Sequence, residues 1–537
     1  MMVSSRESFP KGRIVSWMCW GAILAMAILF RILPIRSGLP YIDYIDEGHV
    51  LHQTIDALNN RSLDAYWYGL PALPAYCAGA ILLSYGPFYH HFHGHRFQKD
   101  LPHERGLASS KQNYDFIAPV ELIVAGRMAT AGLSIATVIL AGIFAARLAN
   151  NQAGFLAMLL VAVCPALVTR GSIVIVDTFA TFFVLAVLYL CARIQAESSR
   201  PVWQDVALAG LATGFAFASK YPAATVGVVV IITILTLPVR WGHRLQLFCL
   251  AGAGVLLGIL LGAPMTFFKP ITIWRDIAIN IRAYAEIPWS EGYFVQAISM
   301  VELGLPLLLV GSVGIILMLR KAKTRTVALG WICFAAILMA SFMGKSFRPF
   351  RSLLPLIPPF CVAAAIAFSD VIDWARKGAR PGLRLGVTVA LVGGCILSLG
   401  FSSFRQVQRR MAHQDSRIKA IDWLQQHATK EDSVLGIREL MILPAEWKRI
   451  AAPSTVVPWF EAADLLQRQR FDYIVTGEFD LRYAADPHAW SAYQDDWKAR
   501  VSTLPVQADF GQIVTTVVPY LWRTNDERIL VLKGNVP

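Results

Sequence analysis

Three carboxylates stand within five positions soon after the first apolar run of the chain, at Asp43, Asp46 and Glu47. Val50, Thr54 and Leu58 then recur at four-residue spacing with Leu51 and Ile55 beside them, which predicts an amphipathic helix on the membrane surface. A carboxylate at its N-terminus could take the proton of an acceptor, or orient the acceptor, in a sugar transfer that inverts the anomeric carbon. The alternative is structural: Asp46 would cap the helix and Glu47 would lie in its first turn.

Another acid, Asp177, ends a segment that begins at Arg170 and leads into an apolar run. An ionisable group at a membrane edge is costly to bury, so Asp177 is a candidate functional residue. The alternative is an N-cap, because Thr178 follows it directly.

Four basic residues lie where the predicted topology faces outward, and they are Lys220, Lys345, Arg348 and Arg351. This placement breaks the positive-inside rule. A lipid-phosphate leaving group would explain it, because cations neutralise the charge that develops on the phosphate. The alternative is that the side chains reach the lipid headgroups.

Histidines cluster between His90 and His95, and such a cluster can bind a metal ion. No partner set of ligands accompanies the run, so an irregular loop is favoured. Whether the acids hold a divalent ion or act alone stays open.

Composition identifies an integral membrane protein. Of the 537 residues, 55% are hydrophobic and 16% are charged, and the mean hydropathy is +0.50. A soluble domain has about a quarter of its residues charged. The net charge of +13 falls largely on turns expected in the cytoplasm, so it does not indicate a nucleic-acid partner.

Eleven apolar runs approach the length that crosses a bilayer. They lie at 14–33, 121–148, 153–169, 178–194, 204–219, 223–239, 246–264, 302–319, 326–343, 353–373 and 384–402. With the N-terminus in the cytoplasm, the basic turns fall inside. The acids and the four basic residues that break the positive-inside rule then face out.

Two regions are predicted. Residues 1–403 form a membrane domain, in which the first outer loop, 34–120, holds a second, interfacial helix near 72–85. Residues 404–537 form a small soluble outer α/β domain. Helices are predicted there at Ser416–His427, Ala462–Gln469 and His488–Arg500, and strands at Phe471–Thr476, Gln512–Val518 and Arg528–Leu532.

An ordered set of short motifs on one predicted membrane face resembles the GT-C superfamily of membrane glycosyltransferases. The nearest branch uses polyprenyl-phosphate sugars and includes protein O-mannosyltransferases and lipid A aminoarabinose transferases. The motifs are D-E-G-H-V (Asp46–Val50), Y-G-L-P-A-L-P (Tyr68–Pro74), A-G-R-M (Ala125–Met128), the Arg170–Asp177 segment, S-K-Y (Ser219–Tyr221) and F-R-P-F-R-S-L-L-P-L-I-P (Phe347–Pro358).

The resemblance implies a role for each candidate. Asp46 would be the catalytic carboxylate, Glu47 its partner and Asp177 a second active-site acid. The phosphate contacts would be Lys220, Lys345, Arg348 and Arg351. The chain departs from the family pattern at Tyr221, where the family has Gly, at Ala72, where it often has Pro, and in an apparent insertion at 88–115. The W-W-D motif of oligosaccharyltransferases is absent from the sequence, which disfavours transfer of a whole glycan to Asn.

The sequence therefore predicts a polytopic GT-C-type α-helical membrane enzyme with about eleven transmembrane helices and a C-terminal α/β domain. It would move one sugar from a polyprenyl-phosphate donor to a lipid, glycan or protein acceptor on the outer face. The alternative is a lipid or solute transporter, which would usually show inverted repeats and mid-membrane broken helices. A bacterial inner membrane is expected rather than the endoplasmic reticulum.

Overall fold

The computed structural model describes most of the chain. The described residues are 11–42, 45–65, 67–93, 120–196, 202–286, 291–345, 348–377, 381–437, 440, 442–457, 459–478, 501–510 and 528–534. Asp43, Tyr66, His95 and the predicted elements His488–Arg500 and Gln512–Val518 lie outside these residues.

The described part is mainly helical. Its α-helices are α1 (Lys11–Ile32), α2 (Ile45–Asn60), α3 (Leu73–His93), α4 (Val120–Leu148), α5 (Asn151–Val163), α6 (Pro165–Arg170), α7 (Val176–Ala196), α8 (Val202–Ser219), α9 (Gly227–Thr236), α10 (Trp241–Gly262), α11 (Met265–Phe268), α12 (Pro270–Glu286), α13 (Tyr293–Ile298), α14 (Leu305–Arg320), α15 (Ala322–Ala340), α16 (Ile357–Lys377), α17 (Pro381–Ala412), α18 (Ser416–His427), α19 (Pro444–Trp447) and α20 (Trp459–Arg468). Short 3-10 helices occupy Leu33–Arg36, Tyr221–Val226 and Phe350–Leu356. The strands are β1 (Val434–Ile437), β2 (Ser454–Val457), β3 (Tyr473–Glu478), β4 (Val506–Phe510) and β5 (Arg528–Lys533).

A helix occupies each of the eleven predicted apolar runs, which confirms the polytopic helical class. Within the described residues, seven helical segments are long and apolar enough to cross a membrane. Three further apolar helices are shorter, at Asn151–Val163, Tyr221–Thr236 and Leu305–Arg320.

The predicted run 153–169 differs from the structure because it is interrupted after α5. Pro165 has no N–H for the carbonyl of Val161, and the amide that follows it donates to the carbonyl of Glu302 instead of to Ala162. The fully buried guanidinium of Arg31, on α1, donates to both orphaned carbonyls, each at 3.2 Å. A charged side chain within an apolar helix therefore satisfies a helix end that has lost its own donors.

Two compact units make up the chain. The first comprises Met1–Ile35, Gly69–Cys77 and Arg127–Arg409. The second comprises Arg36–Tyr68, Ala78–Gly126 and Arg410–Pro537.

Within the first unit, α8 and α10 pack closely through glycines at four-residue spacing, Gly210 and Gly214 on α8 and Gly254 and Gly258 on α10. A Cβ on Gly214 would lie 2.8 Å from the Cα of Gly258, and a Cβ on Gly258 would lie 2.9 Å from the Cα of Gly214. No side chain fits between these two backbones. This is the small-residue packing that helices use in membranes, where van der Waals contact drives association.

Replacement of Gly258 by Leu is expected to destabilise the protein by about 1–3 kcal/mol or more, because the two helix backbones must separate. Gly252 lies on the same helix, and a Cβ there would meet no atom within 4 Å. Gly252→Leu is therefore the matched control and should leave the unfolding temperature in detergent nearly unchanged. Equal effects of the two substitutions on that temperature would contradict this account of the packing.

The second unit contains a five-stranded sheet of order β2-β1-β3-β5-β4. Strands β2, β1 and β3 are parallel to one another, and β5 is antiparallel to both of its neighbours, β3 and β4. The inner strands bury β-branched and leucine side chains, and α18 packs Ile421 and Leu424 into the same core. The predicted α/β class is confirmed, and α18, α20, β3 and β5 coincide with predicted elements within a few residues.

Residues 36–68, which belong to the first loop of the predicted topology, are also part of this unit. The Arg417 guanidinium lies 3.7 Å from the centre of the Tyr41 ring and forms a bidentate pair with Asp415. The hydroxyl of Tyr41 accepts a hydrogen bond from the amide of Leu443 at 3.2 Å. The start of α18 is thus fixed to the segment that precedes α2.

Helix α3 covers the predicted interfacial helix near 72–85 and extends to His93. Pro87 lies inside α3 and removes one helical hydrogen bond without ending the helix. His90, His91 and His93 are therefore helical, and the prediction that they lie in an irregular loop was wrong.

Candidate functional site

Asp46 and Glu47 lie in the first turn of α2, which begins at Ile45. Asp46 is 7% exposed and Glu47 is fully buried. Acidic groups are favoured at this end of a helix because the macrodipole is positive there. Both carboxylates are consequently held at a helix N-terminus, and Asp46 stands one residue inside the helix rather than at its cap.

Trp67 packs against α2 one turn beyond Asp46. Its indole stacks on the imidazole of His49 with ring centres 4.7 Å apart, and its carbonyl accepts from the Gln53 side-chain amide at 3.0 Å. His49 and Gln53 are three and seven positions after Asp46 and lie on the same helix face as this acid. Trp67 therefore covers the face that carries Asp46. Nothing in the local sequence pattern showed this contact between Trp67 and α2.

A second pair of acids is formed by Asp56, on α2, and Asp64, just beyond the end of that helix, and the sequence patterns did not single it out. Asp64 accepts a hydrogen bond from the Tyr68 hydroxyl at 2.5 Å. Burial and, second, the nearby Asp64 raise the pKa of Asp56 from 3.8 to about 6. Burial and then His49 lower the pKa of His52 to about 4.

The raised pKa of Asp56 gives a testable dependence of stability on pH. The folded protein favours the protonated form of the Asp56 carboxyl. This group therefore makes its full contribution to folding stability below about pH 3.8, and the contribution is lost as the pH rises through about 6. The fall in unfolding temperature between pH 4 and pH 7 should therefore be smaller for Asp56→Asn than for the wild type. Unfolding followed by tryptophan fluorescence at both pH values measures the difference. Parallel profiles would show that Asp56 does not titrate differently on folding.

In the first unit, Asp177 and Lys220 form a buried ion pair. Asp177 lies in the first turn of α7 and is 1% exposed, and its Oδ1 accepts from the Nζ of Lys220. Lys220 is the extended residue between α8 and the 3-10 helix that begins Tyr221-Pro222. Its Nζ also donates to the Ser352 hydroxyl at 3.3 Å. Two candidates that the sequence presented separately are therefore one charged pair.

A second lysine approaches this pair. Both ammonium groups lie near the ring of Phe342, whose centre is 5.9 Å from the Nζ of Lys220 and 5.1 Å from the Nζ of Lys345. Burial and, second, the charge of Lys220 lower the pKa of Lys345. Like charges that converge in this way favour an anion between them.

Tyr284, on α12, joins Arg351 to this group. Its ring centre lies 5.7 Å from the Nζ of Lys345, and its hydroxyl accepts from the Nη2 of Arg351 at 3.4 Å. Arg348 donates from Nε to the carbonyl of Lys345 at 2.9 Å. The sequence patterns did not single out Tyr284, because nothing local links it to residues some 60 positions away.

The four predicted cations and Asp177 are thus brought together within one unit. Asp46 and Glu47 belong to the other unit, on α2. In the described ranges, no three His, Cys, Asp or Glu side chains are placed to hold a metal ion.

Comparisons with known proteins agree with this fold. The family model described as dolichyl-phosphate-mannose-protein mannosyltransferase matches residues 82–271. The structure of apo ArnT from Cupriavidus metallidurans has a TM-score of 0.55 at 12% identity, over 98% of this chain and 99% of that chain. ArnT bound to undecaprenyl phosphate has a TM-score of 0.52 at 12% identity, over 97% and 98% of the two chains.

A third solved structure has the same fold. Archaeoglobus fulgidus AglB, in complex with an inhibitory peptide and a dolichol-phosphate, has a TM-score of 0.52 at 11% identity, over 94% of this chain and 74% of that chain. No curated protein sequence matches the chain. At these identities the likeness shows the fold.

Proposed function

We propose, for a chain whose fold is that of the GT-C membrane glycosyltransferases, the transfer of one sugar from a polyprenyl-phosphate donor to an acceptor on the outer membrane face. The observation that carries the proposal is the convergence of Lys220, Lys345 and Arg351 beside Asp177 in this fold. The solved ArnT structure with undecaprenyl phosphate supports a lipid-phosphate donor.

The cations address the leaving group. As the bond between the anomeric carbon and the phosphate oxygen breaks, negative charge grows on the polyprenyl phosphate. Preformed positive groups in a partly buried site stabilise that charge without reorganising at the moment of reaction. Lys220 and Lys345 supply the ammonium groups, and Arg351 supplies a guanidinium that can bind two phosphate oxygens.

Asp46 addresses the acceptor. An acceptor hydroxyl attacks the anomeric carbon opposite the phosphate, a new glycosidic bond forms, and the hydroxyl proton passes to the carboxylate of Asp46. Glu47, one residue further in the same helical turn, is its proposed partner. The products are the glycosylated acceptor and the free polyprenyl phosphate, with inversion at the anomeric carbon.

The acceptor is a lipid, a glycan or a protein, and the enzyme acts at a bacterial inner membrane with its N-terminus in the cytoplasm. The long first loop and the C-terminal α/β domain are proposed to shape the acceptor site. Whether Asp46, Glu47 and Asp177 act with a divalent ion or alone is tested below by transfer measured with and without EDTA.

The decisive experiment is transfer from a radiolabelled polyprenyl-phosphate sugar by the purified protein in lipid nanodiscs. Donors that carry mannose, aminoarabinose or arabinofuranose should be offered with a membrane extract as the acceptor source, with and without EDTA. The proposal predicts label in the acceptor fraction and release of polyprenyl phosphate. Release from none of these donors would refute it. Movement of intact donor between the leaflets of sealed vesicles that contain the purified protein, without release, would indicate a transporter.

A further inference from the structure

Arg170 and Glu302 form a buried ion pair to which the proposed chemistry gives no role. Arg170 ends α6, and Glu302 lies in the turn between α13 and α14. Two parallel hydrogen bonds of 2.7 and 2.8 Å join the guanidinium to both carboxylate oxygens. The side chains are 6% and 0% exposed. Buried pairs often contribute little net stability, so their use is better explained by the geometry that they fix.

The arginine side of the pair leads to Asp177. The carbonyl of Arg170 accepts from the hydroxyl of Thr178 at 2.9 Å, and Thr178 is the residue next to Asp177. The carbonyl of Asp177 in turn accepts from the hydroxyl of Thr181 at 2.7 Å. The end of α6 is therefore bound to the first turn of α7, which carries the acid of the site.

The glutamate side leads to the cationic segment. The amide of Glu302 donates to the carbonyl of Ser299, whose own amide donates to the carbonyl of Gln296, so a tight turn joins Glu302 to α13. The Gln296 side chain donates to the carbonyl of Arg348 at 3.1 Å and accepts from the amide of Phe350 at 2.8 Å. The side-chain amide of Gln296 therefore fixes the backbone from which Arg348 and Arg351 project.

These contacts close a ring. The segment held by Gln296 continues to Ser352, whose hydroxyl accepts from Lys220, and Lys220 binds Asp177. We propose that Arg170 and Glu302 are positioning residues that hold the Asp177–Lys220 pair in register with residues 348–352, and so set the affinity for the donor phosphate. The inference rests on the proposed function, because it assigns that phosphate to the site.

The test separates positioning from folding with two variants. Glu302→Gln leaves Arg170 buried without a counter-charge, and should lower the unfolding temperature and raise the donor KM about ten- to hundredfold. The double variant Arg170→Met with Glu302→Leu replaces both charges by apolar groups and should recover the unfolding temperature. Its donor KM should stay raised, because the bidentate bonds that set the register are lost, while kcat falls less.

The matched control is Asp205→Asn, which breaks the Arg193–Asp205 pair. This pair also joins α7 to α8, but at the ends of the two helices that lie away from Asp177 and Lys220. Asp205→Asn should change stability without changing the donor KM. Binding is also read without turnover, from the rise in unfolding temperature that undecaprenyl phosphate causes in nanodiscs. This rise should be reduced in Glu302→Gln and in the double variant, and kept in Asp205→Asn.

The positioning role would be overturned if the double variant kept the wild-type donor KM and the wild-type rise in unfolding temperature with undecaprenyl phosphate. The ion pair would then serve only the packing of the helices. It would also be overturned if the wild type showed transfer and a rise in unfolding temperature with undecaprenyl phosphate, and Glu302→Gln behaved like the wild type in both measurements. If the wild type shows neither transfer nor a rise, the proposed function itself fails, and the inference falls with it.

Discussion

Asp46→Asn is expected to lower the kcat of sugar transfer by about a hundred- to ten-thousandfold, the range that general-base catalysis contributes. Asn keeps the size of the side chain and can still accept hydrogen bonds at the start of α2, but it cannot take the acceptor proton. The donor KM should change little, because Asp46 is assigned to the acceptor rather than to the phosphate. Steady-state transfer from a labelled donor, with the unfolding temperature measured in parallel, tests both statements.

The same substitution ten residues further along α2 supplies the control. Asp56 is also a buried carboxylate on this helix, 4% exposed, and no step of the proposed reaction uses it. Asp56→Asn should retain kcat near pH 7 while it alters the dependence of stability on pH. If Asp46→Asn kept full activity in this comparison, the acid would be a structural feature of the helix start, and the base would have to be sought elsewhere.

Much of the helical framework could be predicted from the sequence, because hydropathy is a local property. Every predicted apolar run contains a helix, and the order of the motifs led to the correct fold. The predicted run 153–169 failed at Pro165 for an equally local reason, the missing N–H of proline. The helix predicted near 72–85 was too short at its C-terminal end, because α3 continues through Pro87 to His93.

The contacts within the candidate site could not be predicted in the same way. Asp177 and Lys220 were singled out separately, but they are 43 residues apart, and only the packing of α7 against α8 makes them a pair. Arg170 and Glu302 are 132 residues apart, and Glu302 stood inside a segment counted as an apolar span. Periodicity shows which face of a helix is apolar, but not which distant charge lies opposite.

Lys220→Met is expected to have two separable effects. Its Nζ is the hydrogen-bonding partner of Asp177 Oδ1, and the other oxygen, Oδ2, is buried with no hydrogen-bond partner among the described residues. Removal of the ammonium group leaves a carboxylate buried without a counter-charge, which costs about 3–5 kcal/mol of stability. It also removes a cation from the proposed phosphate site, which should lower kcat/KM for the donor by about a hundredfold or more.

The double variant Asp177→Asn with Lys220→Met distinguishes these effects. It removes both charges, so most of the lost unfolding temperature should return. If Lys220 contacts the donor phosphate, kcat/KM for the donor stays low in the double variant. If Lys220 serves only as the counter-ion of Asp177, activity returns together with stability, and the phosphate must be bound by the other cations.

A lysine outside the site supplies the control for this pair of measurements. Lys321 forms an ion pair with Asp370 at 2.6 Å, and both side chains are largely solvent-accessible, at 44% and 35%. Lys321→Met should change stability by only about 0–1 kcal/mol, as exposed pairs do, and should leave transfer unchanged. Loss of a lysine partner therefore destabilises a carboxylate strongly only where water cannot replace the lysine, and the buried environment of Asp177 makes Lys220 the more informative position.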